Sequence, residues 1–217
     1  MKADMVYDYI KRWQATCADK VDFVTLKEMN NLMDLCHKEM LMDEAKSSGT
    51  KKIVTAANRI IKNAVACWKY KEQMHGMFPN TLCDGSVKWC VCDGYHGVRF
   101  NDKMALKEAD IEGKDVFNLN DICKPVDGAV EIQLPNIVDV KLAVKDGVIK
   151  DKKGKKVGMK PYCINTDIPL YVNPQYLLDM MECLPDAKAY AHGSVSIIYF
   201  EADNGDGCLC PVNPTKK

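Results

Sequence analysis

The residues that could most readily do chemistry in this chain are cysteines near a histidine. Cys90, Cys92 and His96 lie close together in the sequence, and Cys208 and Cys210 repeat the C-x-C spacing. Structural zinc sites usually use C-x₂₋₄-C spacings, which wrap the backbone around the ion. A C-x-C pair on a strand instead places two small side chains on one face of a sheet. The spacing favours packed thiols, and we expect neither a metal nor a cofactor.

Other catalytic arrangements have little support. A cysteine nucleophile needs a base within reach, and the scattered histidines have no spacing that pairs one of them with a particular cysteine. The segment GVIKDKKGKK has glycines too far apart for a phosphate-binding loop, and the GxSxG, HExxH and GxGxxG motifs are absent. We therefore predict that the protein is not an enzyme. Stoichiometric zinc in the purified protein would reopen the enzymatic alternative.

Basic residues are the remaining candidates for a binding site. A helix predicted from Ile53 to about Met74 has an apolar side and an opposite, cationic side that contains Lys52, Arg59, Lys62 and Lys69. The segment from Lys145 to Lys160 suits an exposed, lysine-rich hairpin or loop, which includes Lys152, Lys153, Lys155 and Lys156. A solvated charged surface is the ordinary interpretation of both, and contact with phosphates is the alternative.

Composition limits the class of protein. The 217 residues are 47% hydrophobic and 28% charged, which predicts a folded chain. Lys+Arg and Asp+Glu balance at 30 each, so nucleic-acid binding requires local patches. The count of 11 cysteines is odd and the start, MKADMVYDYIKRW, has no signal-peptide pattern, so we expect reduced thiols in the cytoplasm. No apolar run reaches the ~18 residues that a membrane-spanning helix needs.

Hydrophobic periodicity predicts helices first and strands later. Residues 4–46 suit two helices, the second opening with Thr25 and Glu28 as a capping box. The segment KSSGTKK, residues 46–52, indicates a linker with a domain boundary near residue 50. From Pro79 onward strands and turns prevail, with predicted strands at residues 87–92 and 130–134 and a turn at residues 93–97.

A short helix, a hairpin and a final strand are predicted at the C-terminal end. Asn173 caps the helix, Pro174 begins it and Pro185 ends it, and its buried stripe contains Leu177, Met180, Met181 and Leu184. A strand at residues 194–200, a tight turn at Asn204-Gly205 and a last strand CLCPV follow. This order, with the acidic turn at residues 201–207, resembles the closing half-domain of the bacterial β sliding clamp, the ring-shaped processivity subunit of replicative DNA polymerase.

The resemblance rests on specific residues. Asn173, Tyr176-Leu177-Leu178-Asp179 and Cys210-Pro211-Val212 are similar to that family's helix and last strand. Trp89–Phe100 is similar to its strand and turn, and the helix from Ile53 stands where a clamp domain's first helix would be. The resemblance implies an α+β fold, with an N-terminal helical segment over residues 1–50. A single DNA-clamp-like domain over residues 51–217 would follow, with two helices packed on antiparallel sheets.

The resemblance also implies a function. It indicates a non-enzymatic, DNA-associated replication accessory that contacts DNA phosphates through the basic helix face and the lysine-rich loop. Replication or repair proteins would bind as peptides at Pro211 and Val212, although Asn213 replaces the family's basic residue. Clamp chains contain three such domains and close as dimers, so a ring built from this chain needs several copies or another subunit. Gln175, Asp179 and Glu182 are expected to point outward, where they would repel phosphates.

An alternative function involves no DNA. In this hypothesis the chain is a protein–protein interaction module with a clamp-like scaffold, and its methionine-rich N-terminal helices dock a partner. Met29, Met33, Met40 and Met42 offer an adaptable apolar surface of the kind that promiscuous binders use. Ordinary core packing explains the same residues equally well.

Overall fold

The computed structural model describes residues 2–17, 23–67, 72–165 and 168–214. Over these ranges the chain has a mixed α+β fold in which helices pack on an antiparallel sheet, and this confirms the predicted fold class. Within the same ranges, no helix combines the length and the apolar character needed to cross a membrane.

Two helices come first and pack against each other: α1 at Ala3–Cys17 and α2 at Phe23–Ser47. They confirm the helices predicted between residues 4 and 46. A hydrogen bond from Gln14 Nε2 to Asn30 Oδ1 (2.7 Å) connects them. The predicted capping box is wrong, because α2 already begins at Phe23 and Thr25 therefore lies inside the helix.

The predicted linker at residues 46–52 is a tight turn. Helix α3, Lys51–Cys67, follows α2 after only Ser48, Gly49 and Thr50. Gly49 has a φ of +74°, a left-handed conformation that glycine adopts without steric cost. Ala45 of α2 is fully buried in the same hydrophobic core as Val54 of α3, so the end of α2 packs onto the rest of the chain.

Helix α3 buries the side that the sequence predicts. Ala57, Ile60 and Ala64 are fully buried. The predicted length is wrong, since α3 ends at Cys67, which is exposed, and Glu72–Met74 form a short 3-10 helix.

Antiparallel strands form the rest of the scaffold. In chain order they are β1 (Phe78–Thr81), β2 (Val87–Cys92), β3 (His96–Phe100), β4 (Val130–Ile132), β5 (Val148–Lys150), β6 (Lys156–Met159), β7 (Tyr162–Asn165), β8 (Leu170–Val172), β9 (Lys188–Ala191), β10 (Ile198–Ala202) and β11 (Gly205–Leu209). The main sheet has the order β1-β2-β3-β11-β10-β9-β4, and β5-β6 and β7-β8 form two small sheets. The strands at residues 87–92 and 130–134 and the lysine-rich hairpin are thereby confirmed.

The terminal hairpin is confirmed with shifted ends. Strand β10 begins at Ile198 rather than residue 194, because Ser196 Oγ accepts hydrogen bonds from the N–H groups of His192 and Gly193 and holds a turn there. The turn is formed by Asp203 and Asn204, one residue before the predicted Asn204-Gly205. Strand β11 extends from Gly205 to Leu209 and so begins and ends earlier than the predicted CLCPV strand.

Two shorter helices belong to the second half of the chain: α4 at Ile137–Asp146 and α5 at Pro174–Cys183. Helix α5 confirms the prediction, since Asn173 Oδ1 accepts a hydrogen bond from Gln175 N (3.0 Å) and Pro174 begins the helix. Helix α4 is absent from the sequence prediction, although Asn136 caps it in the same way.

The main sheet joins two units of the same plan. Each unit consists of one helix followed by three strands that pair with one another in succession. The first unit contains α3, β1, β2 and β3, and the second contains α5, β9, β10 and β11. The last strands of the units, β3 and β11, pair with each other, from Phe100 opposite Gly205 to His96 opposite Leu209. The two helices pack together on one face of this sheet.

Each face of the sheet has its own core. On the helix side, α5 lies between α3 and α4, and its Leu177 is buried in the same core as Phe100 and Phe200 of the sheet. Side chains alternate between faces along a strand, so a second cluster covers the other side. It contains Phe78, Cys90, Cys92, Leu119, Cys123 and Cys208.

Candidate functional site

The predicted basic face of α3 contains two exposed lysines and one arginine with internal partners. Lys52 and Lys62 are exposed to solvent. Arg59 instead bridges to α5: Nε donates to Asp179 Oδ1 (2.6 Å) and Nη2 donates to Glu182 Oε2 (2.5 Å). Lys69 lies outside the described residues.

The acidic residues of α5 do not point outward, and the prediction for them is wrong. The side chain of Asp179 is fully buried and that of Glu182 is 18% exposed, because both turn toward Arg59. Gln175 is half-buried and donates from Nε2 to Asp179 Oδ1 (3.0 Å). Glu182 also meets Lys141 of α4 at 3.4 Å. These carboxylates are compensated within the protein and are not aimed at a phosphate backbone.

Asp179 also faces a buried histidine. His96 Nε2 lies 3.5 Å from Asp179 Oδ2, and His96 Nδ1 lies 3.0 Å from Asp93 Oδ1. None of these three side chains is exposed to solvent. We call the connected set Asp93, His96, Asp179, Arg59 and Glu182 the charge network. It links the turn between β2 and β3 to α5 and, through Arg59, to α3.

The surroundings favour the ionised forms of His96 and Asp93. Burial lowers the pKa of His96, but the flanking carboxylates of Asp179 and Asp93 outweigh burial and raise it. Burial raises the pKa of Asp93, but His96 and the backbone N–H groups of His96 and Tyr95 outweigh burial and lower it. The geometry is therefore that of an imidazolium held between two carboxylates.

An imidazole beside carboxylates has the composition of an acid–base site, but this one is closed. The side chains of His96, Asp93 and Asp179 have no exposed surface, and the ring of Tyr176 stacks on the imidazole with centroids 4.4 Å apart. General acid–base catalysis requires the group to reach the proton it transfers. We therefore interpret the charge network as a joint that holds the two units together. The sequence did not indicate it, because its members lie in a turn, at the start of β3 and in two distant helices.

The lysine-rich hairpin presents its predicted residues to solvent. Asp151 Oδ1 accepts hydrogen bonds from the N–H groups of Lys153 (2.8 Å) and Lys155 (2.9 Å), which orders the turn between β5 and β6. Gly154 supports this turn with a φ of +77°. Four lysine side chains are exposed there: Lys152, Lys153, Lys155 and Lys156.

The predicted peptide-binding residues follow β11. Cys210 N donates to Tyr95 O (2.8 Å) and Val212 N donates to Tyr171 O (2.8 Å), so this segment is tied to the β2–β3 turn and to β8. Pro211 and Val212 are half-buried and keep part of their surface accessible. The structure brings them near Tyr95, which sequence reasoning did not include and which is 48% exposed.

The C-x-C cysteines are packed as the strand pattern predicts. Cys90, Cys92 and Cys208 share the cluster on the sheet face away from the helices. Burial raises the pKa of Cys92 to about 12, so its thiol stays protonated and unreactive. In the part of the chain that the structure describes, no three His, Cys, Asp or Glu side chains are arranged to hold a metal ion.

Comparisons of the chain with protein-family models, with curated proteins and with solved structures found no match. The sliding-clamp resemblance therefore stays a prediction from the sequence.

Proposed function

We propose that this chain is a non-enzymatic, DNA-associated replication accessory of the sliding-clamp type. The pairing of the two helix-plus-three-strand units through β3 and β11 is the observation that supports it most. The two segments that carry the resemblance, Trp89–Phe100 and Ile168–Pro214, are distant in sequence. They lie side by side in the fold, because the first contains β3 and the second contains α5 and β9 to β11.

DNA would be held through its phosphates, at local clusters of lysine. The chain has a formal net charge of +0, so attraction has to come from such clusters. Lys52 and Lys62 on α3 and the exposed lysines of the β5–β6 hairpin supply them. Arg59 contributes less, since Asp179 and Glu182 already compensate its charge. Each lysine that neutralises a phosphate releases counterions, which makes the binding sensitive to salt.

Replication or repair proteins are the proposed protein partners, bound as short peptides beside Pro211 and Val212. These two residues are half-buried and follow Cys210, whose N–H donates to the backbone carbonyl of Tyr95, a residue that is itself 48% exposed. The described cysteines other than Cys17 form no disulfide bonds, which supports a reducing, cytoplasmic setting.

Charge reversal in the hairpin tests the DNA proposal. A variant with Lys152→Glu, Lys153→Glu, Lys155→Glu and Lys156→Glu is expected to bind a labelled duplex at least about tenfold more weakly at low salt, because up to four phosphate contacts are lost. The measurement is fluorescence anisotropy. A control variant with Lys27→Glu and Lys124→Glu reverses exposed lysines elsewhere. Equal losses in both variants would show that the hairpin is not a DNA contact.

The alternative is a protein–protein interaction module with the same scaffold and no DNA binding. The half-buried Leu41 and Met42 of α2 favour it, because they line a groove beside α3. A wild-type chain that fails to retain any duplex at low salt, yet binds a peptide in this groove, would support the alternative over the DNA proposal.

A further inference from the structure

A groove of about 580 Å³ runs between α2 and α3. Both of its walls repeat at helical spacing: His37, Lys38, Leu41 and Met42 line it from α2, and Thr55 and Lys62 line it from α3. The α2 wall extends from Asp34 to Met42, which is about 12 Å at the rise of an α-helix. The groove is therefore long enough for about two turns of a bound helix.

The groove combines an apolar floor with a cationic rim. Leu41 and Met42 are half-buried and pack against the main core, so the floor is rigidly supported. Lys38 and Lys62 are exposed, one on each wall, and neither has an ion-pair partner in the described part of the chain. Lys107 also lines the groove but is paired with Asp34 at 3.3 Å, and Arg59 is compensated by two carboxylates, so Lys38 and Lys62 are the lining cations without an ion-pair partner among the described residues.

We propose that this groove binds an acidic, amphipathic helical segment of a partner protein. Its apolar side chains would cover Leu41 and Met42, and its carboxylates would meet Lys38 and Lys62. An amphipathic helix that binds in an apolar groove contacts it through apolar side chains at positions i, i+3 or i+4 and i+7. Nucleic acid fits less well, because a phosphodiester backbone satisfies the lysines but has no apolar side chains for the floor. This site lies apart from Pro211 and Val212 and does not depend on DNA binding.

A synthetic peptide tests the groove in the full chain. The probe is a fluorescent helical peptide with leucine at i, i+3, i+4 and i+7 and glutamate at the other positions, and the matched probe has lysine in place of glutamate. We expect the acidic peptide to bind more tightly. Lys38→Glu combined with Lys62→Glu should weaken its binding about tenfold or more, because attraction becomes repulsion at both walls.

A steric variant makes the test independent of charge. Thr55→Trp places a large ring in the groove from an exposed position, and it should weaken binding of the acidic peptide, whereas Thr55→Ala should not. Lys27→Glu is the charge control, since this exposed residue of α2 does not line the groove.

Several results would overturn the proposal. Equal binding of the two peptides or unchanged binding in both groove variants would each do so, as would duplex DNA that binds at the groove when neither peptide does. Lys62 belongs to both proposals, so the tests that separate them are the hairpin variant, which leaves the groove intact, and Thr55→Trp, which blocks the groove without removing a cation. The two proposals can therefore fail separately.

Discussion

Asp179 stands at the centre of the charge network, 2.6 Å from Arg59 Nε and 3.5 Å from His96 Nε2. Asp179→Asn keeps the shape of the side chain but leaves two buried or half-buried cations without their shared counter-charge. Removal of one partner from a buried ion pair typically costs about 3–5 kcal/mol, and we expect a loss in the free energy of unfolding near the lower end of that range. Urea denaturation measures it.

The matched control is Asp203→Asn, which makes the same change at an exposed aspartate. It should alter the free energy of unfolding by less than about 0.5 kcal/mol. Equal stability of the two variants would mean that the charge network does not hold the units together.

The network also predicts a pH dependence. The pKa of His96 is raised in the folded state, so its stabilisation is fully present below about pH 6.5 and is lost as pH rises through the folded pKa. The pKa of Asp93 is lowered, so its contribution is present above about pH 3.9 and is lost as pH falls through the folded pKa. Urea midpoints between pH 5 and 9 should therefore fall with rising pH in the wild type, and the fall should be absent in His96→Gln. A parallel fall in both proteins would contradict this role.

The burial of individual α5 residues was predicted only in part from the sequence. The helical phase of α5 correctly predicted Leu177 and Met180 as buried, because apolar periodicity reports the core face directly. The same phase put Asp179 on the outside, and it is buried because Arg59 comes from another helix to meet it. Partners so far apart in the chain leave no local pattern, so only the fold identifies them.

At the scale of elements, the contact between α5 and the sheet depends on the absence of a side chain at Gly207. A Cβ there would come 2.6 Å from Met180 Cε and 2.6 Å from Gly97 O, and the second contact is with backbone that cannot easily move. Gly207→Ala should therefore destabilise the fold by about 1–3 kcal/mol, as overpacked cores do. Gly193→Ala is the control, since nothing lies within 4 Å of its added Cβ. Equal thermal midpoints would show that α5 packs more loosely than described.

End signals located some elements but not all of them. Asn173 and Pro174 defined the start of α5, whereas the terminal hairpin turn is Asp203-Asn204, one residue before the predicted Asn204-Gly205. Helix α4 was missed even though Asn136 caps it and Ile137, Val140 and Val144 follow at helical spacing, because its Val and Ile residues also suit a strand. Of the linker predicted at residues 46–52, only Ser48, Gly49 and Thr50 lie outside helices.

At the scale of the whole molecule, we propose that the two paired units form one clamp-type domain. Under that proposal, a closed ring requires several copies of this chain or another subunit. We therefore expect multi-angle light scattering to give a defined multiple of 24.4 kDa, the mass of one chain. A molar mass equal to one chain at every measured concentration would contradict a ring made of copies of this chain. The chain could then contact DNA but not encircle it by itself.

The salt dependence of DNA binding tests the central claim most directly. For a labelled duplex, the logarithm of the binding constant should fall linearly with the logarithm of salt concentration, with a slope of about −0.9 for each phosphate contact. Reversal of the four hairpin lysines, Lys152, Lys153, Lys155 and Lys156, should make that slope less steep. A wild-type chain that retains no duplex even at low ionic strength would contradict the proposed role on DNA.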